Sequence, residues 1–387
     1  MVQDVTPAFL VGGSGTDASL AADSHGRVAL TWVTRDSLGQ DLWVSLSSDS
    51  GVTFAAPVRA NPRRGSVSSF AECRPIATYG PAGELLVAWS ERRGNAPLVA
   101  DLVVRASGDG GRTLGSPVVV NDDAEDGRAA FHGFPSFATL PAGGWFAVWM
   151  DPREQASDAE RSSSASLFYA LSNDGGQTWS DNRQLTSRAC AFCRATALCD
   201  DAGMVVVAYR AAGGGVRDPA LVVSRDRAAS FPLDTVLAAD GWRLDGSPVD
   251  GPAVTIDGAD GGHYAWFTGS GAPGVWLTRW RGDGGMSGLK RSLSDSLVGA
   301  GHPRLARLGE ATLIAVEGRT GADKTRGVVA VRALDPDGTL TPWLFLGGDG
   351  NHAWIAPTSE RTALVCWTEH EADGDRVRVV RLTRRRR

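Results

Sequence analysis

The sequence predicts an all-β protein, specifically a seven-bladed β-propeller, with a six-bladed propeller as the alternative. Two repeated patterns and the composition favour this fold. A short sequence motif that we call the turn phrase, S-x-D-x-G-x-T, occurs at Ser47–Phe54, Ser107–Leu114 and Ser172–Trp179. A degenerate copy follows at Ser224–Phe231. Repeats at intervals of about 50 to 65 residues are typical of solenoids, propellers and arrays. The 48 glycines and 13 tryptophans, with only 4 methionines, suit a turn-rich all-β chain.

The second repeat is a pair of strands that precedes each turn phrase. Each copy starts with a small residue or proline, passes a glycine turn and continues into an apolar strand. Alternation and β-branched residues predict strands, and we count seven copies. Their second strands end at or contain Trp32, Trp89, Trp149, Tyr209, Trp266, Glu317 and Trp367.

A fourth strand completes every unit except the seventh, which ends at VRVVRLT with three strands. The segment TPAFLVGG, Thr6–Gly13, resembles these fourth strands. Pairing it with the last three strands would close the ring and remove two open sheet edges. We therefore predict a 3+1 closure and a single propeller domain over residues 1–387.

Charge and composition exclude some classes of function. The formal net charge of −5 disfavours nucleic-acid binding, and we interpret the terminal Arg384–Arg387 as a solvated tail. No stretch reaches the ~20 apolar residues that a membrane span requires. The five cysteines are an odd number, against a purely disulfide-based scaffold. We expect a periplasmic or secreted protein whose leader is absent from this sequence; its oligomeric state stays open.

The turn phrase is predicted to have a structural role rather than a catalytic one. An Asp in a tight turn accepts hydrogen bonds from nearby amides, and Gly supplies a positive φ where the chain reverses. These turns join strands three and four, on the face opposite the central funnel. Asp49, Asp109 and Asp174 are thus predicted to be structural.

The chemistry is expected at the funnel, where the innermost strands start. Aligning those starts predicts a ring of Asp17, Arg74, Phe134, Arg194, Gly251, His302 and His352. His302, His352 and Asp17 belong to neighbouring blades, so we expect them to converge as catalytic groups. Arg210 and His132 also fall on the funnel face and are candidate substrate-binding groups. Such a funnel suits an anionic sugar and acid–base chemistry, unless its charges merely pair among themselves.

The cysteines allow a metal site. Cys190 and Cys193 form a lone CxxC, and Cys73 occupies the place in unit two that Cys193 has in unit four. This CxxC is a local disulfide, a half-site for Zn or Cu completed by Cys73 and a funnel histidine, or a reduced and inert pair.

The stretch Arg74–Thr113, which leads through Glu91-Arg92-Arg93 to SGDGGRT, resembles the opening of the sialidase (neuraminidase) superfamily, and the turn phrase resembles that superfamily's Asp-box, or BNR repeat. This resemblance covers most of the chain. It implies that Arg74, with Arg194 and Arg304, holds a substrate carboxylate. It also implies that Asp101 is the acid/base group and that Glu317 activates a nucleophile. The family's nucleophile is a late tyrosine, yet no tyrosine follows Tyr264.

Three classes of function remain open at this point. The first is a sialidase-like glycan-processing enzyme that acts on acidic sugars, either a hydrolase or a uronate polysaccharide lyase with His132, Tyr209, Arg210 and His302 as candidate groups. The second is a non-catalytic propeller that binds a glycan, a small molecule or a protein. The third is an extracytoplasmic propeller that binds Zn or Cu.

Overall fold

A computed structural model describes residues 2–10, 14–70, 72–94, 96, 98–124, 129–141, 143–155, 157–321 and 323–384. These residues form 29 strands and one short helix, α1 at Asp158–Ser163. None of the described helices is long and apolar enough to cross a membrane. The molecule is thus nearly all-β, built from small antiparallel sheets.

The first two units are joined in one nine-stranded sheet. The joining strand is β6, which pairs with β4 through Gln40 and Val67 and with β8 through Val67 and Glu91. The strands of this sheet are β2 (Thr16–Ala22), β3 (Val28–Asp36), β4 (Gly39–Ser47), β5 (Val58–Arg59), β6 (Val67–Ser68), β7 (Ile76–Tyr79), β8 (Leu85–Arg92), β9 (Ala100–Ser107) and β10 (Val118–Val119).

The next four sheets each contain four consecutive strands. They are β11 (Gly133–Leu140), β12 (Gly144–Asp151), β13 (Ser164–Ser172), β14 (Arg183–Cys190); β15 (Thr196–Cys199), β16 (Val205–Arg210), β17 (Pro219–Ser224), β18 (Leu233–Val236); β19 (Ala253–Val254), β20 (Gly261–Thr268), β21 (Gly274–Arg281), β22 (Met286–Ser292); β23 (Val298–Leu308), β24 (Ala311–Thr320), β25 (Asp323–Leu334) and β26 (Leu344–Leu346).

The last sheet combines the two ends of the described chain. Its order is β1 (Val2–Leu10), β29 (Gly374–Arg384), β28 (Thr362–Glu371), β27 (Gly350–Pro357). The first and last strands are antiparallel, with Val5 opposite Leu382. β1 overlaps the predicted closing segment at residues 6–10 and begins four residues before it, and residues 11–13 of that segment are outside the described residues.

The first strand of each unit faces the centre of the molecule. β2 contacts β7, and contacts continue through β11, β15, β19, β23 and β27 back to β2. These strands line a central cavity of about 560 Å³. Apolar side chains fill the spaces between neighbouring sheets; one such layer includes Trp89 and Val87, and the next includes Trp145 and Trp149.

All four copies of the turn phrase, including the degenerate one, share three hydrogen bonds to the Asp side chain, one from the Ser hydroxyl and two from the amide and hydroxyl of the residue at the Thr position. In the first copy the Ser47 hydroxyl donates to Asp49 Oδ1 (2.7 Å), and Asp49 Oδ1 accepts the Thr53 amide (2.9 Å). In the fourth, Asp226 accepts the amide and hydroxyl of Ser230 in place of Thr. These aspartates are therefore bound within their own turns.

Four of the predicted ring residues share an unusual backbone conformation. Asp17, Phe134, His302 and His352 have φ between 51° and 59°, the left-handed region that non-glycine residues rarely adopt. A register shift interrupts the first-to-second strand pairing next to each of them. Such bulges redirect side chains at the start of a strand, and here they set the entrance to the funnel.

Candidate functional site

The three arginines that the resemblance singles out do converge, and they converge on a carboxylate of the chain itself. Glu72 accepts a hydrogen bond from Arg194 Nε, and its Oε1 lies 3.2 Å from Arg304 Nη2 and 3.6 Å from Arg74 Nη2. The Glu72 and Arg74 side chains are fully buried, and those of Arg194 and Arg304 are 5% and 9% exposed. An internal carboxylate thus occupies the place expected for a ligand.

Glu72 is held in a tight turn between β6 and β7. Phe70 and Cys73 exchange two backbone hydrogen bonds across this turn, at 3.0 and 2.8 Å. The side-chain amide of Gln40 donates to Ser69 O and accepts from Ser69 N, which fixes the preceding residue. Phe70 also packs edge-on against Phe134. The turn is therefore anchored to several units at once.

The charges around Glu72 determine its ionisation. Burial alone would raise the pKa of Glu72, but Arg194 and Arg304 hold it well below the ordinary value for glutamic acid. Glu72 is thus an anion. Beneath it the Arg304 guanidinium stacks over the Trp354 ring at 4.3 Å, so the cluster closes one end of the central cavity.

His302 lies at the outer edge of this cluster. Its Nδ1 is 3.5 Å from Glu72 Oε1, and its amide donates to Asp250 Oδ2 at 2.7 Å. Burial lowers the pKa of His302, but the carboxylates of Glu317, Asp250 and Glu72 outweigh burial and raise it to about 10. The ring retains 30% exposure, so a cationic imidazole faces the solvent at neutral pH.

His352 forms a second histidine–carboxylate pair beside the first. Its Nδ1 lies 3.2 Å from Asp17 Oδ1, and the side chain is 21% exposed. Asp17 Oδ2 also accepts the Ser69 hydroxyl at 2.7 Å. Burial raises the pKa of Asp17, but His352 and Arg74 outweigh burial, so the net pKa lies below its ordinary value. The ionised Asp17 orients the imidazole, as expected of a His–Asp dyad.

Arg74 and Glu317 tie the two pairs together. Arg74 Nη1 donates to His352 O at 2.6 Å, and Glu317 Oε1 accepts the Ala353 amide at 2.9 Å. Arg74 Nε, Arg304 Nε and Asp250 Oδ1 are buried and form no hydrogen bond with the described residues. Buried polar groups without partners are rare in native proteins, so these three atoms mark where the ion pairs of the cluster leave a donor or an acceptor unsatisfied.

His132 and Asp101 lie in a separate buried cluster, between the second and third units. His132 Nε2 is 3.0 Å from Asp123 and 3.5 Å from Asp151, while its Nδ1 contacts Ala100 O at 2.8 Å. Asp101 Oδ1 accepts from Asn121 Nδ2 at 2.9 Å. The His132 side chain is fully buried, so it is not placed to contact a ligand at the funnel opening.

Among the described residues, the cluster of Asp123, His132 and Asp151 has the geometry of a metal ligand set. However, Arg153 Nη2 lies 2.8 Å from Asp151 and 3.4 Å from Asp123. Burial lowers the pKa of His132, and Asp123 and Asp151 outweigh burial and raise it. Arg153 thus supplies these carboxylates with a counter-charge from within the chain.

Arg210 is bound by the backbone. Its guanidinium donates to Asp250 O (3.0 Å), Arg217 O (3.1 Å) and Phe267 O (2.9 Å), and its side chain is 1% exposed. It therefore connects loops around the funnel instead of presenting donors to a substrate, which departs from our expectation for this residue.

The cysteines do not assemble into one ligand set. Cys190 and Cys193 form a disulfide, and Ser247 Oγ lies 3.6 and 3.5 Å from their sulfurs. Cys73 is a free thiol in a different apolar cluster, where its sulfur accepts the Phe134 amide. Of the alternatives for the CxxC, the structure has the local disulfide, because sulfurs bonded to each other are not thiolate ligands.

The four tyrosines are all outside the arginine cluster. Tyr264 OH donates to Ala220 O at 2.8 Å, and Tyr209 OH bonds to Asp234. Tyr169 packs against Phe146 and Phe231, and Tyr79 lies beneath Arg27. Tyr209 is thus unsuited to the role in a lyase that the sequence suggested for it.

Sequence reasoning missed Glu72 and Asp250, the two acidic residues that organise the cluster. Each stands in a loop between repeats, one or two residues before a predicted ring position (AECR and VDG). This proximity to a ring position was the available signal, because a carboxylate one or two residues from such a position lies near the same funnel.

Searches against protein-family models and curated proteins matched nothing. Solved structures do resemble the chain. A protein of unknown function from Dyadobacter fermentans is 16% identical over 100% of this chain and 98% of its own, with a TM-score of 0.57. An ulvan lyase from a new polysaccharide lyase family is 11% identical over 96% and 95%, with a TM-score of 0.57. A Hadza microbial sialidase is 14% identical over 91% and 75%, with a TM-score of 0.51.

At these identities the resemblance defines the fold class alone. The neighbours are β-propellers, and the chain has the same type of fold. Fold does not imply function, so the activity has to be argued from the funnel.

Proposed function

We propose that this protein processes acidic glycans at the funnel opening, by β-elimination at a uronate sugar. The observation that carries the proposal is the pair of partly exposed histidines, each backed by a buried carboxylate: His302 by Glu72 and Asp250, and His352 by Asp17. One histidine is cationic and the other is held by an aspartate, which is the combination that proton abstraction next to a carboxylate needs.

In this mechanism His302 pairs with the uronate carboxylate and stabilises the negative charge that develops on it. The free nitrogen of His352 removes the C5 proton while Asp17 holds Nδ1. The C4–O bond breaks, the leaving oxygen takes up the proton that His352 removed, and the new chain end carries a C4=C5 double bond. No oxidant, reductant or added water is needed.

Sialoside hydrolysis is less well supported by the site. Glu72 fills the three-arginine cluster, and the hydroxyls of Tyr209 and Tyr264 are engaged elsewhere. The ulvan lyase neighbour is described with a bound glucuronate–sulfated rhamnose unit. The glucuronate in that ligand is a uronate, the class of substrate proposed here. The proposal itself rests on the histidine pairs of this chain, since a shared fold does not imply a shared substrate.

We also propose the number of blades, the way the propeller closes and the compartment of the protein. Seven first strands in a closed cycle and the β1–β29 pairing support a seven-bladed propeller with 3+1 closure, folded as one domain over residues 1–387. The repeated Ser–Asp–Thr turns support assignment as Asp-boxes. The Cys190–Cys193 disulfide supports a periplasmic or secreted location, because disulfides persist in oxidising compartments.

The test is incubation with a panel of uronate polysaccharides while the ultraviolet absorbance of unsaturated uronate is followed. Wild type should generate this absorbance. His352→Gln should reduce kcat by about 100-fold or more, as expected when a general base is lost. The matched control is His25→Gln, an exposed histidine in a loop of the opposite face, which should retain full activity.

A fluorogenic sialoside is the second substrate, and we expect no release from it. Release that depends on Arg74 would overturn elimination in favour of a sialidase. Binding of a uronate oligosaccharide without any turnover, by protein that unfolds cooperatively, would leave the non-catalytic binding propeller as the function.

A further inference from the structure

A second cavity of about 560 Å³ lies outside the central cluster, on the same face as the funnel opening. It is formed where the loop of residues 211–218 meets the loop of residues 237–252 and the start of β13. Arg217 and Arg243 line it, together with Ser164 and the backbone of Gly213–Gly215.

The cavity is part of a fixed structure. Arg217 N donates to Trp242 O at 2.8 Å, Leu244 N donates to Gly215 O at 3.0 Å, and Val216 pairs with Arg243. These bonds join the two loops side by side. The backbone of Gly213–Gly215 borders open space in the cavity: a Cβ on any of these residues would meet nothing within 4 Å.

The two arginines lack anionic partners. Neither forms an ion pair within 4.0 Å among the described residues, whereas Arg210 next to them pairs with Asp250. Arg217 is 3% exposed and donates to two carbonyls, Gly246 O and Val216 O. Burial lowers the pKa of Arg217, and Asp245 at the cavity edge opposes that shift. A buried cation without a close counter-charge is costly, and this applies to Arg217. Arg243 is exposed, with Nη1 donating to Gly214 O at 3.1 Å, and it adds a second cation at the same cavity. The two guanidinium groups together favour an external anion.

The cavity lies next to the proposed reaction site, and hydrogen bonds link the two. Arg210 Nη1 donates to Arg217 O, Arg210 Nε donates to Asp250 O, and Asp250 accepts the His302 amide. The cavity and the funnel opening are therefore adjacent parts of one surface, within reach of a single oligosaccharide.

We propose that Arg217 and Arg243 form an anion subsite that holds a sulfate or carboxylate group of the glycan, on a sugar other than the one that reacts. Guanidinium groups bind both anions through paired N–H donors. The assignment to a glycan rests on the proposed function; the binding of an anion does not.

The first experiment is calorimetric titration with sodium sulfate and with sodium glucuronate, at an ionic strength held constant with sodium chloride. Wild type should bind one equivalent of sulfate at this cavity. For glucuronate, which the funnel should also bind, only the part of the affinity that Arg243→Gln weakens belongs to the cavity, and comparison of these effects identifies the preferred anion. Arg243→Gln should weaken binding about tenfold or more, the usual effect of losing a charge-assisted hydrogen bond. Arg183→Gln, at an exposed arginine of β14 away from the cavity, should bind like wild type.

Two further variants separate this subsite from its surroundings. His302→Gln should leave sulfate binding unchanged, because the subsite is distinct from the funnel cluster. Arg243→Glu should abolish binding, and it remains informative if the buried Arg217→Gln variant does not fold. Wild-type protein that binds neither anion, or an Arg243→Gln variant that binds as wild type does, would overturn the subsite.

Turnover provides an independent measurement. If the glycan is a substrate, Arg243→Gln should raise KM for a sulfated uronate oligosaccharide about tenfold and leave kcat unchanged. Anion binding without turnover would retain the subsite and reject the reaction, whereas turnover with an unchanged KM would reject the subsite and retain the reaction.

Discussion

Glu72 Oε1 lies 3.2 Å from Arg304 Nη2, and both side chains are buried at the end of the central cavity. The two residues are 232 positions apart in the chain, on opposite sides of the ring. Their contact joins the turn between the first two units to the sixth unit. A single carboxylate thus holds cations from several units around the molecular centre.

Replacing Glu72 should therefore destabilise the whole molecule. Glu72→Gln removes the charge that Arg194 and Arg304 face, and breaking a buried ion cluster costs about 3–5 kcal/mol. Urea unfolding measures this cost, with the exposed Glu310→Gln as the control. In Glu72→Ala, added formate should recover part of the lost stability by supplying a carboxylate. A loss below ~1 kcal/mol would mean that the cluster contributes little.

Stability at alkaline pH should depend on His302. Its folded-state pKa is raised to about 10, above the ~6.5 of an unfolded chain. The stabilisation is thus complete below pH ~6.5 and is lost as the pH rises through about 10. The difference in unfolding free energy between wild type and His302→Gln should narrow steadily between pH 7 and pH 10. A constant difference would show that His302 is not charged in the folded protein.

Asp17 should act as a positioning residue for His352. Asp17→Asn keeps the size of the side chain and suits the positive φ, since Asn adopts this conformation more readily than most residues. Losing the carboxylate should lower kcat by up to about 100-fold, with KM nearly unchanged. The kcat–pH profile should also shift, which a purely structural defect would not produce. Equal changes in kcat and KM would contradict this role.

The cysteines should separate into two groups on chemical labelling. When the protein is unfolded without reductant, Cys73, Cys199 and Cys366 should react with iodoacetamide, while Cys190 and Cys193 should react only after reduction. Elemental analysis should show neither zinc nor copper near one equivalent. Five reactive thiols before reduction, or a stoichiometric metal, would restore the alternatives open from sequence.

The parts of the fold that could be predicted are those set by short-range rules. The turns around Asp49 and Asp226 follow from residues within seven positions of one another, and even the degenerate copy retains its bonds. The strands that contain Trp89 and Trp149 follow from local alternation, although in the structure they continue to Arg92 and Asp151. His302 and His352 lie at equivalent places in their units, each beside a register shift, because each unit repeats the same local pattern.

The interactions that were missed depend on contacts between distant units. Glu72 lies in a non-repeating turn, so no periodic signal indicates that it faces Arg304. Asp101 and His132 were expected near the funnel, but both lie in a buried cluster between two sheets. Sequence spacing predicts the unit in which a side chain lies. It does not predict how deeply that side chain is buried, because burial depends on the packing of neighbouring units.

The pairing of β1 with β29 places Val2 opposite Arg384. The start and end of the described chain are therefore neighbours in space, and a linker of a few residues would join them. New termini could then be opened in a surface turn between other strands, which such turns commonly tolerate. The described chain is thus suited to circular permutation, because each of its sheets would keep its neighbours whichever of these turns is opened.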